Sequence, residues 1–255
     1  MAMNWHARYI QQAQWTRDLR AYLFEKAGLA NAGGVHTAAL RRASLVLEVG
    51  CGTGAILSEL PTHLALHGLD LDAAALAECR IHAPAASLTR GDVLQLPYPT
   101  GTFGIVYCHF LLLWVRDPLQ ALLEMKRTAR PGGHILAFAE PDYTARTDKP
   151  SELSRLGQWQ TESLRRQGAD PGLGARLADL FFEAGIQILE TGTIQNGELD
   201  PSPVGWEMEW AVIESDLAGW VSDDDIQKMK TLDRQARARG ERVLHVPTHF
   251  AWGRA

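Results

Sequence analysis

The chain predicts a doubly wound α/β sheet, and three observations carry that expectation. The first is Leu45-Val46-Leu47-Glu48-Val49-Gly50-Cys51-Gly52-Thr53-Gly54-Ala55-Ile56-Leu57, where an apolar, β-branched run meets three alternate glycines and then a helical run stopped by Pro61. Such a run reads as a strand buried on both faces. The second is the recurrence of short apolar runs near 64–69, 87–89, 103–108 and 134–139, separated by helical or polar sequence. The third is the placing of acids where these runs end, at Asp70, Asp92 and Glu140. Open α/β sheets keep their ligands at the carboxyl ends of their strands.

The totals agree with this class. A length of 255 residues suits one α/β domain with an insertion or a small cap. An apolar share of 46% is enough for a sizeable core. A formal charge of −5 argues against nucleic acid or an anionic membrane as a general partner. Cys51, Cys79 and Cys108 show neither a disulfide framework nor metal spacing, which fits a reducing cytoplasm. Because no cluster of Cys, His and carboxylates has ligand spacing, no metal is expected. There is no signal-peptide pattern and no apolar run of membrane length, so the expected location is cytoplasmic. Nothing in the sequence fixes an oligomeric state.

The glycine turn reads as a ligand cradle. Glycines let backbone approach a ligand, and the free N–H groups of a following helical turn favour negative charge. A dinucleotide pyrophosphate or the carboxylate of an amino-acid-like cofactor would suit it. Gly50, Gly52 and Ala55 satisfy the glycine fingerprint of nicotinamide and flavin folds. Glu48 is the sharper feature. An acid there gains nothing beside a pyrophosphate, whereas a cofactor carrying a sulfonium and an ammonium tolerates it.

The other elements follow in order. Residues 4–26 read as helical, with Trp5, Tyr9, Trp15, Leu19, Tyr22 and Leu23 at helical spacing, broken by Gly28 and Asn31-Ala32-Gly33-Gly34. The second strand ends at Asp70-Leu71-Asp72. A carboxylate there can accept from both hydroxyls of a ribose, and Asp72 suits the cap of a helix over 73–81. A third strand near 87–89 leads to Arg90-Gly91-Asp92-Val93, and Pro97 and Pro99 mark a loop. Cys108-His109-Phe110 closes the fourth strand, and His109 is a candidate general base. Asp117-Pro118 opens a helix, and Arg130-Pro131-Gly132-Gly133 turns into the fifth strand. Glu140-Pro141-Asp142-Tyr143 then faces the cleft. Glu140 is the second catalytic candidate, with Asp142 and Tyr143 as substrate contacts, although a plain turn also explains Pro141 and Asp142.

Residues 151–167 read as a helix capped by Ser151, and 177–185 as an amphipathic helix with a glycine stop. Strands are expected at 186–193 and 249–253. Between them, 197–247 exceeds what the simple fold requires. Trp206, Trp210, Ile213 and Leu217 form one helical stripe there. Ser222 and Asp225 make a capping box for a helix carrying Ile226, Met229 and Ala236. Arg234, Arg237, Arg239 and Arg242 complement its C-terminus or lie in water, with phosphate binding as the alternative.

The string Glu48-Val49-Gly50-Cys51-Gly52-Thr53-Gly54 resembles the first motif of the class I S-adenosylmethionine-dependent methyltransferases. Asp70, Gly91-Asp92 and Arg130-Pro131-Gly132-Gly133 follow in that family's order. The resemblance implies a Rossmann-like, seven-stranded sheet, mostly parallel with an antiparallel last strand, plus helical lid and cap segments. It implies one domain over 1–255: an N-terminal helical lid at 1–44, the core at 45–196, a cap insertion at 197–247 and a closing strand at 248–255. S-adenosylmethionine would meet Glu48, Gly50, Cys51 and Gly52 at the turn, and Asp70 and Leu71 at the ribose. Gly91, Asp92 and Val93 would meet adenine, and Cys108 and His109 the ammonium end. Trp15 and Thr16 would reach it from the lid. Apart from the resemblance, Tyr9, Phe110, Asp142, Tyr143, Trp206 and Trp210 are candidate acceptor contacts in a pocket with aromatic walls, with fastening of the extra helix to the core as the alternative for Trp206 and Trp210. Gly104 stands where the family usually has Asp after Phe103, which touches strand packing rather than a cofactor contact.

The implied activity is transfer of a methyl group to a small acceptor that is aromatic, apolar or an amine. An NAD(P)-dependent oxidoreductase on the same turn is the alternative, and a catalytically silent S-adenosylmethionine-binding protein is another.

Overall fold

The computed structural model describes residues 5–29, 45–194 and 202–255. The Asn31-Ala32-Gly33-Gly34 break, the carboxyl part of the predicted lid and the start of the predicted cap at Gly197 lie outside the described residues.

The central sheet contains β1 (Leu45–Val49), β2 (Ala65–Asp70), β3 (Ser87–Arg90), β4 (Phe103–Cys108), β5 (Ala129–Pro141), β7 (Gln187–Ile194) and β9 (Thr248–Arg254). A separate ribbon pairs β6 (Thr147–Lys149) with β8 (Val243–His245). The sheet order is β3-β2-β1-β4-β5-β9-β7. The five strands from β3 to β5 pair in parallel, and β9 runs antiparallel to both its neighbours. This is the expected seven-stranded, mostly parallel, Rossmann-like sheet.

Successive strand residues point to opposite faces, so each central strand feeds two cores. Val46, Ile105 and Leu136 pack on one face with Leu23 and Phe24. Leu47, Val106 and Ile135 pack on the other with Leu122, Met125 and Phe181. Continuous burial of β4 is the physical reason its sequence is apolar throughout. The helices start where polar caps stand. Asp72 accepts from Ala74 N at 2.7 Å to open α3 (Ala73–His82), and Asp117 accepts from Gln120 N at 2.9 Å to open α4 (Pro118–Thr128).

Four expectations are corrected. The leader is two helices, α1 (Trp5–Trp15) and α2 (Arg17–Lys26), broken at Thr16. After the glycine turn there is only a 3-10 turn, Leu57–Glu59, because a left-handed Gly54 and Pro61 leave too little chain for an α-helix. Ser151 does not cap a helix. It begins a 3-10 turn and its hydroxyl meets Glu152, while α5 spans Ser154–Arg166. The Arg130-Pro131-Gly132-Gly133 segment is a bulge inside β5, since Phe103 pairs with Ala129 and Ile105 next with His134. A Cβ on Gly133 would lie 2.8 Å from the Arg130 carbonyl and 3.1 Å from the Gly104 carbonyl, so this bulge requires glycine at 133.

The chain continues through α6 (Leu177–Glu183), α7 (Pro203–Leu217) and α8 (Asp223–Ala238). The arginines at the end of α8 form no phosphate cluster. Arg242 is almost fully buried between Asp233 (2.6 Å) and Asp148 (2.9 Å). Arg237 pairs with Asp233 and Glu209, Arg239 with Glu241, and Arg234 lies over the Trp206 ring.

Candidate active site

The glycine turn is folded onto the end of β2. Gly50 N and Cys51 N both donate to Leu69 O, at 2.7 and 3.0 Å. Gly52 has φ +49°, and its N–H donates to Asp70 Oδ2 at 2.8 Å, while Asp72 N donates to Oδ1 at 2.9 Å. Two amides thus fix the Asp70 carboxylate at the strand ends. A Cβ on Gly52 would stand 3.3 Å from the Tyr9 ring, so α1 lies directly over the turn. His6 adds a 2.8 Å bond from Nδ1 to Thr53 Oγ1. Beside Asp70, Gly91 N donates to Asp70 O, and Asp92 accepts from Leu94 N at 2.9 Å to cap a 3-10 turn containing Val93. Leu71 is exposed.

Glu48 is buried at the floor and accepts from Tyr107 Oη at 3.0 Å. Burial holds its carboxyl well above the usual range, with the tyrosine bond opposing. At the end of β4, Phe110 has φ +51°, a strained conformation for a residue with a Cβ. Glu140 explains how the strain is held. Its Oε1 accepts from Leu111 N and Leu112 N (3.1 and 2.9 Å) and its Oε2 from Leu113 N (3.1 Å). Burial raises its pKa to about 7 against these three amides.

His109 is half-buried at the cavity wall. Its Nε2 lies 2.9 Å from Thr16 Oγ1, at the joint between α1 and α2. Burial, reinforced by Arg20, lowers its pKa to about 3, so the ring is neutral at physiological pH and a weak proton acceptor. Arg20 bonds Ala13 O, Thr16 Oγ1 and Glu59, which ties the helix joint to the segment after the glycine turn.

These groups surround a cavity of about 400 Å³. Glu48, Cys51 and Asp70 form its strand-end wall; Tyr9, Gln12 and Ala13 form the α1 wall; His109, Phe110 and Tyr143 lie between. The far wall comes from Gln160, Leu164 and Gln167 of α5 and its end, with Val212 and Asp216 of α7. Gln167 Nε2 donates to Asp216 Oδ1 at 3.4 Å, and burial raises the Asp216 pKa.

Several sequence candidates fall elsewhere. Glu140 does not face the cavity, because backbone amides occupy its carboxylate. Asp142 is a turn residue whose Oδ1 accepts from Thr144 N at 2.9 Å. Trp206 and Trp210 do not line the cavity: both indole N–H groups donate to buried Asp233 Oδ2, at 2.6 and 3.0 Å. Trp15 lies outside it, edge-on to Phe110 and under Arg8. Thr16 and Cys108 sit behind the wall, both buried. The far wall was missed, although Gln160, Leu164 and Gln167 recur at helical spacing and give a sequence signal for it. Among the described residues, no group of three or more His, Cys, Asp or Glu could hold a metal ion. No helix there is long and apolar enough to cross a membrane.

A parallel sheet with a glycine turn, a strand-end acid and a helix-roofed cavity defines a Rossmann-like enzyme of the methyltransferase type. The family model described as "Methyltransferase domain" matches residues 47–137. The phosphatidylethanolamine N-methyltransferase of Cereibacter sphaeroides is 34% identical over 147 residues, 52% of this chain and 71% of that protein. The demethylmenaquinone methyltransferase of Shouchella clausii is 38% identical over 101 residues, 36% and 43% of the two chains. For four other curated relatives the match spans 43, 57, 47 and 65% of their length. Among solved structures, geranyl diphosphate C-methyltransferase from Streptomyces coelicolor A3(2), in complex with Mg2+, geranyl diphosphate and S-adenosyl-L-homocysteine, superimposes with a TM-score of 0.54. That pair shares 12% identity over 93% of this chain and 79% of the other. The chain belongs to the class I S-adenosylmethionine-dependent methyltransferases. The nicotinamide alternative is not favoured.

Proposed function

We propose that the protein transfers a methyl group from S-adenosylmethionine to a small-molecule acceptor held in the cavity. The observation that carries this reading is one enclosure walled on one side by the glycine turn and Asp70, and on the other by α5 and α7. The residues fit the cofactor: a Gly52 side chain would press on Tyr9, and the Asp70 carboxylate faces the cavity with each oxygen able to accept a further bond. S-adenosylmethionine, when bound, supplies a methyl already activated by its sulfonium.

Asp70 would hold the ribose, with Leu71 beside it; Gly91, Asp92 and Val93 would border adenine. Gly50, Cys51 and Gly52 would cradle the amino-acid end, with Glu48 beneath. Cys108, Thr16 and Trp15 support this site from behind through His109 and Phe110, rather than by contact. In the leader 1–44, α1 and α2 act as a lid on the 45–196 core. Within the 197–247 cap, α7 completes the acceptor wall, and 248–255 closes the sheet. Tyr9, Phe110 and Tyr143 give the acceptor aromatic surfaces, and Asp216 gives it one acidic contact. With His109 held neutral and Glu140 engaged by amides, catalysis rests on positioning the acceptor in line with the methyl and on excluding water.

Titration calorimetry with S-adenosylmethionine, followed by an acceptor panel read by S-adenosylhomocysteine release, tests the proposal. Binding with turnover of at least one small acceptor is expected. A folded chain that binds no S-adenosylmethionine overturns it, and one that binds but turns over nothing points to the silent-binding alternative.

A further inference from the structure

We propose that the acceptor is a zwitterion, its anionic group held by Arg8 of α1 and its ammonium by Asp216 of α7. This deepens the methyltransferase reading above and rests on it. It concerns what holds the acceptor, not which atom receives the methyl. Both residues line the cavity, from different walls, and both are half-buried. Tyr143 lines the same cavity. Burial raises its pKa, and four charges act on it besides: Arg146, Arg8, Asp216 and Glu209. Two of the four are already neutralised. Arg146 pairs with Asp148 and Glu209 with Arg237, each at 2.8 Å. Arg8 and Asp216 remain. Arg8 donates to Gln11 Oε1 at 2.6 Å and lies over the Trp15 ring, 5.4 Å from its centroid. Among the described residues no carboxylate pairs with it. Asp216 Oδ1 accepts one long bond, 3.4 Å, from Gln167, and Oδ2 has no partner among those residues. The two groups form no ion pair with each other.

A ligand with one charge of each sign resolves this. Burial raises the Asp216 pKa, as befits a carboxylate short of a cation, and a bound ammonium would reverse that shift. A guanidinium stays charged and presents five donors, of which Gln11 engages one. The other titratable groups of the cavity are committed: Asp70 to two amides, Glu48 to Tyr107, and His109 is neutral. A zwitterion gives both open groups a charge-assisted hydrogen bond. A ligand with a single charge satisfies one group and leaves the other desolvated without a partner. A site rejects near analogues in that way. The aromatic faces of Tyr143 and Phe110, in the same cavity, suit the ammonium end as well.

The test loads the full chain with S-adenosylhomocysteine and measures, by calorimetry, the affinity of probes that share a phenyl ring. Phenylalanine and its β-homologue carry both charges, phenethylamine the ammonium only, hydrocinnamate the carboxylate only, and phenethyl alcohol neither. At least one zwitterion should bind roughly tenfold or more tighter than every singly charged or neutral probe. Arg8→Gln should bring that zwitterion down to the level of phenethylamine, and Asp216→Asn to the level of hydrocinnamate. S-adenosylhomocysteine affinity should stay within about twofold of wild type in both variants. If either variant fails to fold, the wild-type ranking still decides. Equal binding of zwitterions and singly charged probes, binding of no probe, or a zwitterion advantage that survives both substitutions overturns the proposal. So does a parallel loss of S-adenosylhomocysteine affinity in Arg8→Gln, which would put the guanidinium on the cofactor's own carboxylate. A chain that takes up no S-adenosylhomocysteine refutes the methyltransferase reading instead, and the same probes on the unloaded chain then decide the charge pairing.

Discussion

His109 and Glu140 lie at the ends of adjacent strands, and burial moves their titrations in opposite senses. His109 titrates near 6.5 in an unfolded chain but near 3 when folded. Between those values the unfolded chain binds more protons, so stability present above about pH 6.5 is lost as pH falls. Glu140 moves from about 4.5 to about 7, so the folded chain binds more protons in that interval. Stability present below about pH 4.5 is therefore lost as pH rises through 7. Glutamine at either position removes one titration. Relative to His109→Gln, the wild type should lose stability between pH 7 and 5. Relative to Glu140→Gln, it should lose stability between pH 5 and 8. Each slope is at most about 1.4 kcal/mol per pH unit. Urea denaturation across this range would show the two opposite slopes, and slopes of one sign would contradict the burial argument. Asp70 answers to a different measurement. Asp70→Ala should weaken S-adenosylmethionine binding by about 1–3 kcal/mol, because a charged acceptor is lost and Gly52 N is freed. Unchanged affinity by calorimetry in a folded variant would remove Asp70 from the site.

At the scale of elements, legibility followed how local the cause was. β1 and β4 were readable because burial on both faces demands continuous apolar sequence, and α3, α4 and α8 because Asp72, Asp117 and Ser222 cap within a few residues. The break at Thr16 was not, since the aromatic stripe runs across it and its partner His109 stands 93 residues away. The role of Glu140 was hidden for the same reason: its acceptors are spent on amides nearly 30 residues earlier. α7 is the clearest case. Its tryptophan stripe suggested an acceptor wall, yet that face meets Asp233 of α8, and the next face carries Val212 and Asp216 to the cavity. The two faces predict separable defects. Trp210→Phe removes one donor from a buried carboxylate and should cost about 1–3 kcal/mol of stability with little change in acceptor KM. Asp216→Asn should leave the unfolding midpoint nearly unchanged and alter acceptor KM instead. Equal effects of both variants on KM would mean that α7 does not divide its work in this way.

At the scale of the whole molecule, a buried charge cluster joins β6 to α8. Asp148 on β6 and Asp233 on α8 share Arg242, while Arg146 braces Asp148 at 2.8 Å and Arg237 braces Asp233 at 3.1 Å. The side chains of Arg242, Asp148 and Asp233 are only 2–3% exposed. Water therefore cannot replace a missing partner, and an uncompensated buried charge is what makes such clusters sensitive. Arg242→Met keeps the volume but leaves two carboxylates facing each other, so a loss of about 3–5 kcal/mol is expected. The damage should also be regional. The ribbon and α8 hold α7 against α5, whereas the glycine turn, Asp70 and β3 depend on parallel pairing at the far edge of the sheet. Arg242→Met should therefore lower the unfolding midpoint and acceptor turnover while S-adenosylmethionine affinity below that midpoint stays close to wild type. Calorimetric binding beside a urea titration separates these outcomes. If cofactor affinity falls in step with acceptor turnover, cap and core act as one unit, and the cluster supports the whole sheet rather than its roof.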